Sequence, residues 1–318
     1  MKVPSVAHRR SIADKEHKPE TFYPCLFSIP PNMADLNIAA VMSLSGRVGL
    51  VTGGGTGIGF TIAKAFAANG AKVYITGRRL NVLEEAAASV IGVSGSIVPL
   101  QMDVTEEESL KAGAQHIEGI DGKLDILVNN AGFAASLRDP DFITKKFAAA
   151  DPFEPETTEN WADIFALNTI APFFVVRAFQ PLLIKGAHSR PQGTSGVINI
   201  SSGAAKLNGS APFVSLAYGP TKSALEKLTL VLGTSFAGRD IPIRVNALEP
   251  GVFASQLTSP EFLEALKTKP VPGTVAPIPA RRHGTDAEMG MTAVYLAASD
   301  YTNGAILNVD GGITLVNP

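Results

Sequence analysis

From residue 45 onward, short apolar runs alternate with longer stretches whose apolar positions recur every three or four residues. Val48, Leu50 and Val51 form the kind of run that a strand buried on both faces needs. Lys72–Thr76, Ser96–Met102, Leu124–Asn129, Gly196–Ser201, Ile243–Leu248 and Ala305–Val309 read as further strands. Between them, Phe60–Ala68, Asn81–Ile91, Glu106 to about Glu118, Thr158–Ile184, Leu216–Ala237 and Asp286–Ala298 read as helices. Asn69-Gly70 stops the first of these, and Glu106, Glu107 and Glu108 place negative charge in the first turn of the third. Regular alternation of strand and helix predicts an α/β domain on one doubly wound parallel sheet of about seven strands, with helices on both faces. In such sheets ligands bind outside the carboxyl ends of the strands.

Two connections break the rhythm, 133–156 and 249–285, the second carrying Pro250, Pro260, Pro270, Pro272, Pro277 and Pro279. Both leave the carboxyl ends of strands and are expected to be substrate loops. Pro172 falls inside the helix predicted over Thr158–Ile184. It has no N–H for the carbonyl of Asn168, so a kink is expected there, with the freed carbonyl holding a water. Residues 1–43 are polar and charged as far as Glu20 and then proline-rich; they read as a mobile N-terminal extension, and 44–318 as the one folded domain. His8-Arg9-Arg10 is followed by Asp14, Glu16 and Glu20, which argues against a transit peptide.

Composition narrows the function classes. A chain of 318 residues that is 45% apolar and 18% charged can bury a sizeable core. A net charge of −2 gives no electrostatic footprint for nucleic acid. No apolar run reaches the ~18 residues of a membrane span, so no membrane partner is expected. The single cysteine, Cys25, excludes an intrachain disulfide and fits a reducing, cytoplasmic setting.

The candidate chemistry begins after the first strand, at Thr52-Gly53-Gly54-Gly55-Thr56-Gly57-Ile58-Gly59. Glycines let the backbone turn and approach a ligand closely, and a helix that starts behind them offers free N–H groups to a phosphate. Further on the chain reads Asn129-Asn130-Ala131-Gly132, Asn168, Ser201-Ser202, Tyr218-Gly219-Pro220-Thr221-Lys222 and Pro250-Gly251. In this order these motifs strongly resemble the short-chain dehydrogenase/reductase family, from Ser45 to Gly312.

The resemblance implies a Rossmann-type fold and an oxidoreductase that moves a hydride between a nicotinamide cofactor and a ketone or secondary alcohol. It implies Ser202, Tyr218, Lys222 and Asn168 as catalytic residues, with Ser201 as the competitor of Ser202 because neighbouring strand residues face opposite ways. Tyr218 and Lys222, spaced i, i+4, share a helix face. A lysine cation about 4 Å from the phenol would favour the phenolate by at most ~4 kcal/mol, lowering the tyrosine pKa. The cofactor would meet Thr52, Gly53, Gly55, Thr56, Gly57, Ile58 and Gly59, then Asp103, Val104, Asn129, Asn130, Ala131 and Gly132 on its adenosine side. Tyr218, Lys222, Pro250, Gly251, Val252 and Ser255 would border the rest of it. No acid follows the second strand, where Thr76-Gly77 runs into Arg78 and Arg79. Arginine there suits the 2′-phosphate of NADP(H) over the bare ribose of NAD. Asp103 has a second reading as a helix cap, and Thr56 stands where some NADP binders carry a basic residue.

Pro250 through Thr258 loosely resembles the branch of 3-oxoacyl thioester reductases, so a 3-oxoacyl thioester or a secondary-metabolite carbonyl is the expected substrate class. Phe133, Leu137, Leu207, Phe213, Phe253, Leu257 and Phe262 are candidates for its apolar pocket. Glu249 has no role in this scheme. The family's dimers and tetramers imply a homodimer or homotetramer through the two long helices, with Phe174, Phe179 and Leu230 facing outward. The competing function is a cofactor-binding sensor or scaffold without redox turnover. No metal site is expected.

Overall fold

Seven strands form where the apolar runs predicted them: β1 Val48–Thr52, β2 Lys72–Gly77, β3 Ser96–Gln101, β4 Ile126–Asn129, β5 Ser195–Ile200, β6 Ile243–Pro250 and β7 Ile306–Val309. They make one sheet in the order β3-β2-β1-β4-β5-β6-β7, and all pairs are parallel. This is a doubly wound α/β fold whose strand order reverses between β1 and β4. The computed structural model describes residues 36–151, 153–191, 193–255 and 258–317. Most of the expected N-terminal extension therefore lies outside the described residues. The compact unit that carries the sheet spans Ile38–Pro318.

Side-chain alternation along the strands builds two cores, one on each face of the sheet. Val51, Val73, Ile75, Val128 and Ile198 point to one face, where they meet α2 (Gly57–Ala68) and α10 (Asp286–Ala298) through Ile62, Phe66, Met289 and Val294. Their neighbours Leu50, Tyr74, Leu127 and Val197 point to the other. There they meet α4 (Glu107–Asp121), α7 (Ala171–His188) and α8 (Tyr218–Ala237) through Ile117, Phe179, Leu183 and Leu232. Period-two alternation with both faces apolar is the reason these strands look continuously hydrophobic in the sequence.

Four details depart from the sequence expectations. Short helices occupy the two long connections, α5 (Phe142–Ala148) and α9 (Pro260–Ala265). Seven and six residues are too short to show a helical period by themselves. Phe179 is fully buried in the second core and is not an outward interface residue; Phe174 is half-buried and Leu230 exposed. The continuous helical stretch Thr158–His188 is long and apolar enough to cross a membrane by length and composition, a property the run-by-run reading did not register. The fold uses its α7 segment against β4, β5 and β6.

The fourth detail is local. The predicted long helix runs as α6 (Thr158–Phe165), a π-helical turn over Ala166–Ile170, and α7. The N–H of Ala171 reaches back to the carbonyl of Ala166. Pro172 has no N–H, so the regular ladder releases the carbonyls of Leu167 and Asn168. Asn168 thus sits inside the irregular turn, the kind of helix defect that recurs at functional sites.

At the opposite end of the sheet, Asp125 is fully buried ahead of β4. Its Oδ2 accepts the Val48 N–H at 2.8 Å and lies 3.1 Å from Lys123 Nζ. Asp125→Ala would strand that N–H and unpair the lysine. We expect a loss of about 3–5 kcal/mol in unfolding free energy, read as a lower urea midpoint at unchanged slope.

Candidate active site

The site is built at the strand reversal. The loop between β1 and α2 turns through Gly53 and Gly57, at φ +61° and +54°, a conformation side chains resist. Asn130, directly after β4, donates through Nδ2 to the carbonyls of Thr52 at 2.9 Å and Gly53 at 3.0 Å. Thr52 Oγ1 accepts the N–H groups of Asn130 and Ala131, each at 3.0 Å. This clamp needs Gly59: a Cβ there would lie 2.5 Å from the Gly53 carbonyl oxygen and collide with the Asn130 carboxamide. Thr56, the N-cap of α2, makes no side-chain cap, so the helix keeps N–H groups for an external acceptor.

Beside this helix end lies a cavity of about 630 Å³ along the ends of β1 to β4. Gly53, Gly55 and Thr56 line it from the first loop, Arg78 and Arg79 from the second, Asp103 and Val104 from the third, Ala131 and Gly132 from the fourth. Both arginines are exposed, and neither guanidinium is ion-paired with a described residue. Asp103 is not a helix cap. Its Oδ1 closes a turn with the N–H and hydroxyl of Thr105 at 2.9 and 2.7 Å. Asn129 is withdrawn from the cavity, its Nδ2 donating to Asn199 across to β5 at 2.8 Å.

A second cavity, of about 580 Å³, opens at the ends of β5 and β6. Ile58, Ser202, Tyr218, Pro250, Gly251, Val252 and Ser255 line it. Of the two serines, Ser201 turns away and donates to Glu226 at 2.7 Å, while Ser202 lines the cavity with Tyr218, its Oγ accepting the Ala204 N–H at 3.2 Å. Ser255 reaches the glycine loop: a Cβ on Gly57 would stand 3.8 Å from its own Cβ.

Lys222 lies beneath the tyrosine. It is 4% exposed, donates to the Ile200 carbonyl at 2.8 Å, and sits 5.7 Å from the centroid of the Tyr218 ring. Burial pulls its pKa down to about 8. Burial pushes the Tyr218 phenol up, and the Ser202 hydrogen bond opposes this. Burial therefore works against the lowering of the tyrosine expected from the lysine. Desolvation penalises both charged forms, and the ammonium is held at the ring and the Ile200 carbonyl.

Asn168 acts through its side chain, whose Oδ1 accepts the Phe133 N–H at 2.9 Å. Its Nδ2 donates to the Phe133 carbonyl at 2.8 Å and to Thr221 Oγ1 at 3.1 Å. It thereby joins the segment after β4 to the helix that carries Tyr218 and Lys222. Gly132 permits this approach, since a Cβ there would stand 3.0 Å from Asn168 Oδ1 and 3.5 Å from Lys222 Nζ.

Among the apolar candidates, Leu207, Phe213, Phe253 and Phe262 line the second cavity, and Phe133 and Leu137 line the first. Leu257 lies outside the described residues. Two acids at the site escaped the sequence reading. Glu249 is one of them: it is fully buried, with Lys206 Nζ 2.6 Å from its Oε2. Burial raises its pKa, Lys206 opposes the rise, and the Glu226 and Asp310 carboxylates add to it.

The other acid is Glu156, at the end of the first long connection. It pairs with Lys146 and accepts from Trp161 Nε1 at 3.0 Å, Ser215 Oγ at 2.6 Å and the Leu216 N–H at 2.9 Å. It fastens α5 and α6 to the chain just ahead of Tyr218. No local pattern announces this hub, because its partners are scattered from 146 to 216.

A seven-stranded parallel sheet with a glycine turn and an open helix end at its reversal point defines a doubly wound α/β fold of the nucleotide-binding type. The short chain dehydrogenase family model matches residues 47–265. The short-chain dehydrogenase/reductase VdtF of Byssochlamys spectabilis is 35% identical, over 89% of this chain and 97% of its own length. Gluconate 5-dehydrogenase of Gluconobacter oxydans is 32% identical, over 86% of this chain and 97% of its own. Among solved structures, the Pseudomonas aeruginosa RhlG/NADP active-site complex superposes with a TM-score of 0.71 at 31% identity, covering 86% of this chain and 98% of that one. The chain belongs to the short chain dehydrogenase family, and it is an oxidoreductase fold with a nicotinamide-cofactor site.

Burial raises the pKa of Glu156, and the bonds from Lys146, Ser215 and Leu216 outweigh it, holding the carboxyl below its usual range. A depressed folded pKa contributes stability that is present above the unfolded value of ~4.3 and lost as pH falls through the folded one. Glu156→Gln should therefore be less stable than the natural protein at pH 7. The gap in urea midpoint should close as the pH is lowered below 4.3.

Proposed function

We propose that the protein is an NADPH-dependent reductase of ketones, able to run in reverse on secondary alcohols. The observation that carries this reading is the juxtaposition of Ser202, Tyr218 and buried Lys222 at one cavity with two unpaired arginines at the other end of the cofactor cleft. The cleft suits a dinucleotide: the glycine turn and the chain after β4 line one cavity, and the end of α2 is open to a pyrophosphate. Arg78, with Arg79 beside it, would take the 2′-phosphate, and Asp103, Val104, Asn130, Ala131 and Gly132 would border the adenosine side. Thr52 and Ile58 would frame the glycine turn. Pro250, Gly251, Val252 and Ser255 would hold the nicotinamide end against the second cavity.

When held in this cleft, NADPH would be the source of the hydride that the carbonyl carbon takes up, leaving NADP⁺. Ser202 Oγ would orient the carbonyl oxygen, and Tyr218 would give that oxygen its proton as the C–O double bond becomes single. Tyr218 suits the acid role by position, its phenol lining the cavity beside Ser202 with Lys222 beneath its ring. Lys222, charged below about 8, would favour the phenolate left behind. The Asn168 carbonyl released by Pro172 would accept from water on the route that returns a proton to Tyr218. A homodimer or homotetramer through α7 and α8 belongs to this reading. It is supported by exposed Phe173 and Val231 beside Leu230, with Phe179 excluded from that face.

Two variants test it. Arg78→Ala should raise the Michaelis constant for NADPH about tenfold or more through loss of a charge-assisted contact, and leave that for NADH nearly unchanged. Equal effects on both coenzymes would reject NADP(H). Tyr218→Phe should bind NADPH normally, by fluorescence titration, and lose at least about 100-fold in turnover. Retention of most of the rate would place the acid elsewhere.

A further inference from the structure

The wall of the Ser202–Tyr218 cavity contains one charged side chain among the described residues, Lys206. That charge is already matched. Lys206 Nζ lies 2.6 Å from Glu249 Oε2 and donates to Asn308 Oδ1 at 2.8 Å. Glu249 comes from β6 and Asn308 from its register partner on β7, so the sheet itself presents both groups to the lysine. Glu249 is completely buried, and neither of its oxygens has hydrogen-bond geometry with another described group. Lys206 is its counter-charge. A substrate carboxylate would have to share the lysine with a buried carboxylate that depends on it, which weakens its draw on an anion.

Three of the wall's hydroxyls are similarly committed. Ser223 donates to the Ala205 carbonyl at 2.7 Å, Thr274 to Val271 at 2.7 Å and Thr258 to Ser255 at 3.0 Å. Asn208 and Ser210 add polar groups at the loop over it, and the rest of the wall is largely apolar. Phe213, from the segment ahead of α8, and Phe262, in α9, meet edge to face at 5.9 Å. Leu207, Val252 and Phe262 flank a small core of their own around Val271 and Ile313.

We propose that this pocket selects an uncharged, predominantly apolar ketone, and that Glu249 is a specificity-determining residue that silences the only cation in the described wall. The inference rests on the reductase reading above and adds the substrate class. It separates this chain from its relative named as a gluconate dehydrogenase, whose substrate name denotes a sugar acid. Gluconate-like carboxylates find no free cation here, and polyol hydroxyls find few free partners, whereas a ring system finds aromatic and branched side chains.

The test uses the natural protein and three ketones: 2-tetralone (apolar, uncharged), L-tagatose (polar, uncharged) and 5-keto-D-gluconate (anionic). NADPH oxidation gives kcat/KM for each, and calorimetry on the NADP⁺-loaded protein gives each affinity. We expect tetralone to exceed both sugars by at least about 100-fold in kcat/KM and to bind most tightly. Preferential turnover or binding of either sugar would overturn the substrate class and leave the reductase reading standing. Preferential binding of tetralone without turnover of any ketone would support the pocket's chemistry and overturn the reductase reading. Binding of none of the three would overturn the proposal.

Glu249→Gln removes the counter-charge while keeping the side-chain shape. It should raise kcat/KM for 5-keto-D-gluconate about tenfold relative to that for tetralone, as the released lysine meets the carboxylate. An unchanged ratio in a variant that still binds NADPH would overturn the role of Glu249. The comparison in the natural protein decides the substrate class even if that variant fails to fold.

Discussion

Everything at the carboxyl edge of the sheet depends on how closely α2 approaches the end of β4. Asn130 fills the space that Gly59 leaves and bonds to two carbonyls of the glycine turn, while Thr52 gathers two N–H groups coming the other way. These four bonds join the turn after β1 to the chain after β4 at the one place where strand order reverses. They hold the open end of α2 over the cleft and leave Ala131 and Gly132 as its floor. Without that contact the sheet would still have its two cores, but no shaped cavity beside the open end of α2.

The catalytic face is governed by desolvation more than by charge pairing. Lys222 is buried against the Ile200 carbonyl and its pKa falls to about 8. Tyr218 beside it moves upward. A pairwise Coulomb argument sets only the upper bound of the lysine's pull on the tyrosine, and the loss of water around both groups works against it. Glu249 shows the same force at work on a carboxylate, with Lys206 pulling against it.

The irregular parts of the fold sit where the site needs them. The π turn carries Asn168 between two regular helices, and its side chain bridges Phe133 to Thr221. Glu156 draws the first long connection onto the residues ahead of Tyr218. The segment at Phe213 and the short helix containing Phe262 meet over the second cavity. Each long connection is thus anchored by a contact far away in sequence, which is how loops of that length acquire a shape.

The sequence by itself determined the strand and helix alternation, the glycine turn and the lysine one helical turn after Tyr218. These are local: a period of two, a period of 3.6 and a need for small residues are written in neighbouring positions. Pro172 likewise announced a break in its helix, since a missing N–H is a covalent fact. Only the tertiary structure decided that the break is a π turn, that Phe179 is core and that Asn129 faces the sheet. It alone chose Ser202 over Ser201 for the cavity, and it alone gave Glu156 and Glu249 partners. Those outcomes depend on which distant groups share a buried volume and how much water each one loses. Neither quantity is carried by adjacent residues.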